Sequence, residues 1–371
     1  MGRPPHHPPR VAIAHDYLTQ RGGAERVVLA MARAFPQAPI YTTLYEPDGT
    51  FAEFRRHDVR TSWLNSVRPL RRDHRQALPL LPAASSTVRI DADVVLASSS
   101  GWAHGFRTAG RKVVYCHNPA RWLYQAEQYL GADASRAKRT VLRVLDRPLR
   151  RWDSAAAATA DVYLANSTVV RDRVQRTYGL VAEVLHPPAG VDAGGTQEPV
   201  ASVRPWAEDG AGFLLVVSRL LPYKNVDEVI RAVESGSERL VVVGRGPERE
   251  RLSMLAGPRV QLLEGLPDEQ MRWLYAHARA LVAPSHEDFG LTPIEAGSFG
   301  TPVVALRDGG YLDTVAEGVS GVFFDDPTPE SIREGLERLG EVGWDPEAVR
   351  QHAWTFSEER FVQRLREIVL S

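Results

Sequence analysis

Residues 11–35, VAIAHDYLTQRGGAERVVLAMARAF, decide the fold, because they join a buried strand to an amphipathic helix through a glycine loop. The strand is a short apolar run that ends in polar residues. After the two glycines, apolar side chains return at helical spacing, at Val27, Val28, Met31 and Phe35. A short buried strand that leads into such a helix is typical of a parallel βαβ unit.

The same alternation continues along the chain. The first half contains the apolar runs PIYTTLY, VVLASSS, KVVYCHN and VYLANST, and the second half contains FLLVVSRL, RLVVVGRG, VQLLEG, ALVAPS, PVVALRDGG and GVFF. Each run ends in small or polar residues. The pattern predicts an α/β protein of two Rossmann-like, doubly wound parallel-sheet domains that face each other across a cleft. Ligands of such sheets bind beyond the carboxyl ends of the strands, so we expect function in the loops that follow them.

The domain boundaries follow from composition. Residues 185–210 are rich in Pro and Gly and lack periodicity, which is typical of a linker. We expect an N-terminal domain at residues 1–187, a linker at 188–210 and a second domain at 211–350. Residues 351–371 predict a C-terminal helix that could pack back on the N-terminal domain. Its apolar face consists of Phe361, Leu365 and either Ile368 or Val369.

Composition and charge narrow the class of protein. The chain has 371 residues, is 43% hydrophobic and contains a single cysteine, Cys116, which fits a reducing compartment and a cytoplasmic location. Residues 1–10 lack the apolar region of a signal peptide, and no apolar run is long enough to span a bilayer. Residues 1–187 carry 27 Lys and Arg against 16 Asp and Glu, a net of +11, whereas the remainder carries −12. The basic half predicts an anionic partner, unless the asymmetry is compositional drift.

Two basic residues follow the first strand of the second half. In VVSRLLPYKN, Arg219 lies at the end of the strand and Lys224 where the next helix should begin. The chain has only three lysines, and one of them is here. A guanidinium and an ammonium at this position could clamp a diphosphate, with helix amides adding to the site. A solvated loop pair is an equally good interpretation.

Glycines in two places could approach a ligand. Gly244 and Gly246 follow a strand, but Arg249 stands where the dinucleotide fingerprint needs a third glycine, so a tight turn is the favoured interpretation. Gly22 and Gly23 could form a backbone cradle for a phosphate or sugar, or a plain turn.

Histidine and acidic residues supply further candidates. His117 follows an apolar run and could donate a hydrogen bond to a substrate, although a lone histidine is more often structural. The acidic pairs Asp91/Asp93 and Asp325/Asp326 lack metal-ligand spacing and lie before a strand or in a turn, so we expect no metal.

The stretch HEDFGLTPIE, residues 286–295, contains two glutamates. Thr292 as N-cap, Pro293 as first helical residue and Glu295 three residues after the cap predict a capping box. The same helix would open beyond a strand, where its free amides favour an anion. Glu287 has no capping role and could be a solvated loop residue or part of a ligand site.

Taken in order along the chain, Gly22-Gly23, His117, Arg219, Lys224 and the Glu287–Glu295 pair resemble the retaining glycosyltransferases of family 4, which have the GT-B fold. The resemblance implies that the N-terminal domain binds an acceptor, with Gly22, Gly23 and His117 near it, and that the second domain binds a nucleotide-sugar.

The resemblance also implies individual roles. His117, Glu287, Arg219 and Lys224 would be catalytic, the last two by holding the donor diphosphate, and Glu295 would bind the nucleotide ribose. The further donor-binding residues would be Phe289, Gly290, Leu291, Thr292, Gly244 and Gly246. HDYLTQRGGAERV and YCHNPARWLY look most like a bacterial subgroup that includes GDP-mannose-dependent mannosyltransferases.

The implied function is metal-independent, retaining transfer of a hexose, with mannose from GDP-mannose as the best candidate, to a lipid-linked saccharide or another glycan. No cofactor and no nucleic-acid partner are expected. Arginines at steps of three or four predict a basic helix that could lie on an anionic membrane or be merely solvated: Arg136, Arg139, Arg143, Arg147 and Arg150. The alternatives are transfer from a UDP- or dTDP-sugar to a soluble natural-product aglycone, and a non-catalytic sugar-nucleotide-binding subunit.

Overall fold

The computed structural model describes residues 8–72, 74–78, 80–125 and 136–371, with side chains at 75 and 136–144 excepted. It divides the chain into two compact units. The first comprises Met1–Pro188 and Glu358–Ser371, and the second comprises Ala189–Ser357.

The described part of the first unit contains a seven-stranded parallel sheet in the order β3-β2-β1-β5-β7-β8-β9, and a separate parallel pair β4-β6. The strands are β1 (Val11–His15), β2 (Ile40–Thr42), β3 (Val59–Thr61), β4 (Arg89–Ile90), β5 (Val94–Ser99), β6 (Arg107–Thr108), β7 (Arg111–Cys116), β8 (Val162–Ala165) and β9 (Glu183–Val184).

The helices of the first unit are α1 (Gly23–Ala34), α2 (Arg68–Arg72), α3 (Leu81–Thr87), α4 (Arg121–Tyr124), α5 (Arg136–Ala157) and α6 (Thr168–Tyr178), and it also contains the last helix of the chain, α15 (Glu358–Leu370). Short 3-10 helices lie at Ala52–Arg56, Trp63–Ser66, His74–Ala77 and Ala103–Gly105.

The second unit contains a six-stranded parallel sheet in the order β12-β11-β10-β13-β14-β15. Its strands are β10 (Leu214–Val217), β11 (Leu240–Val243), β12 (Val260–Leu263), β13 (Ala280–Ala283), β14 (Val303–Leu306) and β15 (Gly321–Phe324). Its α-helices are α7 (Arg204–Glu208), α8 (Val226–Glu234), α9 (Arg249–Leu255), α10 (Asp268–His277), α11 (Leu291–Gly297), α12 (Tyr311–Thr314), α13 (Pro329–Glu341) and α14 (Pro346–Trp354). A 3-10 turn lies at Pro222–Lys224, before α8.

Each sheet reverses its strand order once. In the first sheet β1 pairs with β2 on one side and with β5 on the other, and in the second sheet β10 pairs with β11 and with β13. Beyond the carboxyl ends of two such strands the flanking loops separate and leave a crevice. The loops after β1 and β5, and those after β10 and β13, are therefore where each unit can bind a ligand.

The residues around the expected linker belong to the second unit. Val200 and Val203 are buried, 6% and 0% exposed, in the same apolar core as the strands of the second sheet, and α7 follows them. The apolar residues in this Pro- and Gly-rich stretch are therefore core residues of the second unit.

The C-terminal helix α15 packs in the first unit. Phe361, Leu365, Ile368 and Val369 are all buried in the cluster that contains the apolar face of α1. Arg111 Nη1 donates a hydrogen bond to the Ile368 carbonyl oxygen at 2.9 Å. Because the packing face is apolar, the helix contributes to the core of the first unit rather than only covering it.

We predict that Leu365→Ala, which removes a side chain that is 0% exposed, lowers the free energy of unfolding of the first unit by about 2–5 kcal/mol. Leu370→Ala, on the same helix but 52% exposed, is the matched control and should change it by less than about 0.5 kcal/mol. Urea denaturation followed by hydrogen exchange of the β1 and β5 amides measures both. Equal effects of the two substitutions would contradict the packing role of α15.

Candidate functional site

The loops at the reversal point of the second sheet bring Lys224 and Glu287 together. Lys224 ends the 3-10 turn after β10, and its side chain is only 7% exposed. Its Nζ forms an ion pair with a Glu287 carboxylate oxygen and lies 4.8 Å from the centre of the Tyr223 ring. Glu287 comes from the loop after β13. A buried ammonium thus stands at the expected ligand crevice with one carboxylate as its charged partner.

Arg219 is placed differently from Lys224. It lies two residues beyond β10 and is exposed, and its guanidinium makes no hydrogen bond or ion pair within the described part of the chain. The structure therefore presents one buried and one solvent-facing cation after the same strand. An anion that approached the loop could engage the exposed guanidinium without first breaking an ion pair.

Asn225, which sequence reasoning missed, anchors the Lys224 loop. Its φ of 52° is in the left-handed region, which asparagine tolerates better than most residues. Its Nδ2 donates a hydrogen bond of 2.9 Å to the Pro284 carbonyl oxygen, which follows β13. The contact ties the two crevice loops together. An asparagine directly before a helix was the available sequence signal.

Ser285 and Tyr311 hold the Glu287 carboxylate, and neither was predicted from sequence. The Ser285 hydroxyl donates to Glu287 Oε1 at 3.0 Å and lies 3.1 Å from the Tyr311 hydroxyl. Burial, with the Glu287 carboxylate nearby, raises the pKa of the Tyr311 hydroxyl. Tyr311 therefore stays protonated and can donate a hydrogen bond to Ser285.

The capping box predicted at Thr292 is wrong. Helix α11 begins at Leu291, its N-cap is Gly290, and no side chain caps it. Gly290 has a φ of 83°, and a Cβ on it would lie 2.5 Å from the Tyr311 ring. Only glycine fits this backbone and this contact, so Gly290 is the N-cap in place of Thr292. The helix therefore starts earlier than the Thr292-Pro293 pair predicts. Thr292 and Glu295 then lie inside the helix.

Glu295 accordingly has another partner. Its Oε2 accepts a hydrogen bond of 2.8 Å from the Tyr275 hydroxyl, and the residue is partly buried. Phe289, in contrast, turns its side chain into an apolar cluster with Ile294 and Phe356, so only its backbone can face a ligand. The neighbouring Leu291 is partly buried against the same cluster.

Gly244 and Gly246 are explained by packing. A Cβ on Gly244 would lie 1.8 Å from the Ser218 carbonyl oxygen, and a Cβ on Gly246 would lie 2.1 Å from that of Leu220. The two glycines let the loop after β11 press against the loop that carries Arg219. This close approach supports the tight-turn interpretation, and the donor-binding role of the pair stays a prediction.

In the first unit, His117 lies beyond β7 and is partly buried. Its Nε2 lies 2.8 Å from the Ser98 hydroxyl. Burial, and after it the neighbouring His15, lowers the pKa of His117 to about 3. The ring is therefore neutral at physiological pH and cannot serve as a cation.

The glycine loop of the first unit lies over a buried carboxylate. Gly22 is the N-cap of α1, with extended backbone, and Gly23 is the first helical residue. A Cβ on Gly22 would lie 2.6 Å from Glu25 Oε2, and Glu25 is 1% exposed. Glu25 in turn lies 3.8 Å from His15 Nε2. Glu25 thus lies between the glycine loop and His15.

Asp16, another residue that sequence reasoning missed, joins the two loops at the reversal point of the first sheet. Its carboxylate accepts hydrogen bonds from the backbone N–H groups of Ser100, Trp102 and Ala103, at 2.6, 3.0 and 2.6 Å. The side chain is 2% exposed. It therefore shapes the loop after β5 rather than facing a ligand.

The acidic pairs considered for a metal have protein partners. Arg10 bonds both Asp91 and Asp93, and Arg307 pairs with Asp325. Within the described ranges, no group of three or more His, Cys, Asp and Glu side chains could hold a metal ion.

Most of the basic helix face that was predicted to lie on a membrane falls outside the described residues. Helix α5 forms, but the side chains of Arg136, Arg139 and Arg143 fall outside the described residues. Arg150 pairs with Asp146 and donates to the Leu123 carbonyl oxygen. None of the helices in the described ranges combines the length and apolar character needed to cross a bilayer.

Both units match known families. Residues 21–193 match the family model Glycosyltransferase Family 4, and residues 203–353 match Glycosyl transferases group 1. The chain therefore belongs to the glycosyltransferases of this type, which confirms the family resemblance and the GT-B expectation of two Rossmann-like domains.

The sequence identity between this chain and individual relatives is modest. The chain is 31% identical over 202 residues to a GDP-mannose-dependent alpha-(1-6)-phosphatidylinositol monomannoside mannosyltransferase of Mycolicibacterium smegmatis; the match covers 48% of this chain and 53% of that one, so the chain spans about half the length of this relative. It is 27% identical to the human alpha-1,3/1,6-mannosyltransferase ALG2, with 89% and 87% covered. Among solved structures, Anabaena HepE in complex with UDP and glucose shares the fold, with a TM-score of 0.66, 17% identity and 98% and 99% coverage.

The lowered pKa of His117 predicts an acid-sensitive native state. Unfolded histidine has a pKa of about 6.5, so between about pH 6.5 and about 3 the unfolded chain binds a proton that the native chain does not. Stability should fall as pH falls through this window, by up to about 1.4 kcal/mol per pH unit from this one group. His117→Gln should flatten that slope in urea titrations, whereas His57→Gln, outside this network, should retain it. An unchanged slope in His117→Gln would show that the native ring titrates normally.

Proposed function

We propose that this protein transfers a sugar from a nucleotide diphosphate donor to a hydroxyl group of an acceptor, with retention of configuration and without a metal. The observation that carries the proposal is the buried Lys224 ammonium at the reversal point of the second sheet. It forms an ion pair with Glu287, which lies in the loop that leads into the glycine-initiated helix α11. Family membership supports the same activity.

Charge separation is the chemical problem that this arrangement suits. Breaking a sugar–phosphate bond leaves negative charge on the departing diphosphate and cationic character at the anomeric carbon. Lys224 and Arg219 would stabilise the diphosphate, because preorganised cations in a partly desolvated site interact strongly with developing charge. The first amides of α11, at Leu291 and Thr292, would add unpaired N–H donors.

The two glutamates would act on different parts of the donor. Glu295 would accept hydrogen bonds from the ribose hydroxyls, since its carboxylate is oriented by Tyr275. Glu287 would lie by the transferred sugar, where Ser285 and Lys224 hold its carboxylate. Because that carboxylate is already engaged by a cation and a hydroxyl, we favour attack on the same face as the departing phosphate over a covalent glycosyl–enzyme intermediate.

The identities of the donor and the acceptor are proposed from fewer observations than the reaction itself. Mannose from GDP-mannose is the first candidate, because two relatives are described as mannosyltransferases and one of them as GDP-mannose-dependent. A lipid-linked or other glycan acceptor at an anionic membrane surface is supported by the net charge of +11 in residues 1–187. A UDP- or dTDP-sugar with a soluble aglycone, and a non-catalytic sugar-nucleotide-binding role, are the competing outcomes.

A thermal-shift panel of GDP-mannose, UDP-glucose, dTDP-glucose and ADP-glucose identifies the donor. A ligand present at about 100 times its Kd stabilises the native state by about 2.7 kcal/mol, so we expect GDP-mannose to raise the melting temperature most. Slow hydrolysis of that donor by the purified protein would exclude a non-catalytic role. No shift with any of the four would contradict the proposed donor class, and an inverted anomeric product by NMR would contradict retention.

Substitution of the two glutamates should separate binding from turnover. Glu295→Ala removes charged hydrogen bonds to the ribose and should weaken donor binding about 10- to 100-fold by calorimetry, with a smaller effect on kcat. Glu287→Ala should lower kcat about 100-fold with a smaller effect on binding. Glu330→Ala, on the exposed face of α13, is the control and should change neither. The reverse pattern would mean that the two roles are exchanged.

A further inference from the structure

In the first unit, a series of hydrogen-bonded side chains ends at His117. The reaction proposed above gives this series no role. The strand register places His15, the last residue of β1, opposite Ser98 of β5. His15 Nδ1 lies 3.1 Å from the Ser98 hydroxyl and 3.2 Å from the Ser98 carbonyl oxygen. The same hydroxyl lies 2.8 Å from His117 Nε2. His15 and Ser98 are 2% and 0% exposed, so water does not compete for the contacts between these two residues.

The carbonyl oxygen determines the direction of every bond in this series. A carbonyl only accepts, so His15 Nδ1 must carry a proton in order to bond the Ser98 carbonyl oxygen. That N–H also faces the Ser98 hydroxyl, whose oxygen therefore accepts from His15. The hydroxyl proton is then available for His117 Nε2, which must be an unprotonated acceptor.

The opposite assignment leaves a buried donor unpaired. If His117 Nε2 carried the proton, the Ser98 hydroxyl would accept from both rings and its own proton would lack an acceptor in the described part of the chain. An unpaired buried donor costs about 1–3 kcal/mol. The neutral His117 ring then has its single proton on Nδ1, an atom without a hydrogen-bond partner among the described residues.

Glu25 supports the same arrangement from the other side of His15. Its carboxylate lies 3.8 Å from His15 Nε2 and is 1% exposed, and the only charged side chain it meets in the described structure is His15. Burial opposes a charged His15, but Glu25, and after it Asp16, raise the pKa of His15 above its ordinary value. The direction of this pKa change agrees with Nδ1 carrying a proton and acting as the donor.

We propose that His15 and Ser98 are positioning residues that hold His117 in the tautomer with its proton on Nδ1. His117 is then a hydrogen-bond donor that can bind a hydroxyl or ring oxygen of a sugar. It cannot be the general base for the acceptor hydroxyl, because its one lone pair is occupied by Ser98. This assignment of His117 to sugar recognition rests on the proposed function. It leaves the departing phosphate oxygen to take the acceptor proton.

Nitrogen NMR of the full chain tests the tautomer without any substrate. With 15N-labelled histidine, the two ring nitrogens of His117 are assigned by the loss of their signals in His117→Gln. In the wild type at neutral pH we expect a protonated, pyrrole-type Nδ1 and an unprotonated, pyridine-type Nε2. A protonated Nε2 in the wild type would overturn the proposal, whatever the variants do.

Substitution of Ser98 tests the mechanism of positioning. Ser98→Ala should shift the His117 signals towards the Nε2-protonated tautomer, and Ser98→Thr, which keeps a hydroxyl, should restore them. Ser99→Ala is the matched control, because the Ser99 hydroxyl contacts His104 and Asp16 instead. Wild-type His117 shifts in folded Ser98→Ala would overturn the proposal.

Kinetics separate this proposal from the proposed function. With the donor found in the thermal-shift panel, Ser98→Ala should lower kcat/KM about 3- to 10-fold, the worth of one hydrogen bond. A purely structural defect would lower the melting temperature and the active fraction without changing the tautomer. If the protein turned over no donor but showed the Nδ1 proton, the proposed function would fail and the tautomer assignment would stand.

Discussion

Parallel strand pairing is the constraint on which the candidate sites depend. In a parallel sheet the carboxyl ends of neighbouring strands lie at one edge, and a reversal of strand order leaves two loops there without a common neighbour. In the second unit these loops carry Lys224 and Glu287, which are 63 positions apart along the chain and form an ion pair. In the first unit the equivalent strand ends carry His15 of β1 and Ser98 of β5. The polar groups at each edge are neighbours because of the sheet, and their spacing in sequence plays no part.

Buried charge distinguishes the second site from an ordinary loop. Taking an ammonium out of water costs several kcal/mol, and a single carboxylate offsets that cost only when the geometry and the remaining hydrogen bonds are good. Lys224 is almost fully buried, whereas Glu287 is partly exposed and also bonded by Ser285. A phosphate could share or replace the carboxylate as a partner. Such a site is suited to bind an anion with little rearrangement of the protein.

Sequence patterns predicted the parallel sheets of this protein correctly and the start of one helix wrongly. The alternating apolar runs predicted the parallel sheets because burial on both faces demands continuous apolar strands. The capping box failed because a tertiary contact, the Tyr311 ring against Gly290, sets the start of α11. Ser285, Asn225, Tyr275 and Asp16 were missed for the same reason: each forms a hydrogen bond to a distant segment, and the sequence does not show that contact.

The sequence by itself determined the layout of the protein: two runs of strand and helix, a basic and an acidic half, and the loops after the strands as the places to seek function. It could do so because strand burial and helical periodicity are local properties of the chain. Tertiary structure alone decided which polar residues meet, since the pairing of β10 with β13 and of β1 with β5 joins segments far apart in sequence. That pairing turns Lys224 and Glu287 into an ion pair, and it turns His117 from an isolated histidine into the last member of a buried hydrogen-bonded series.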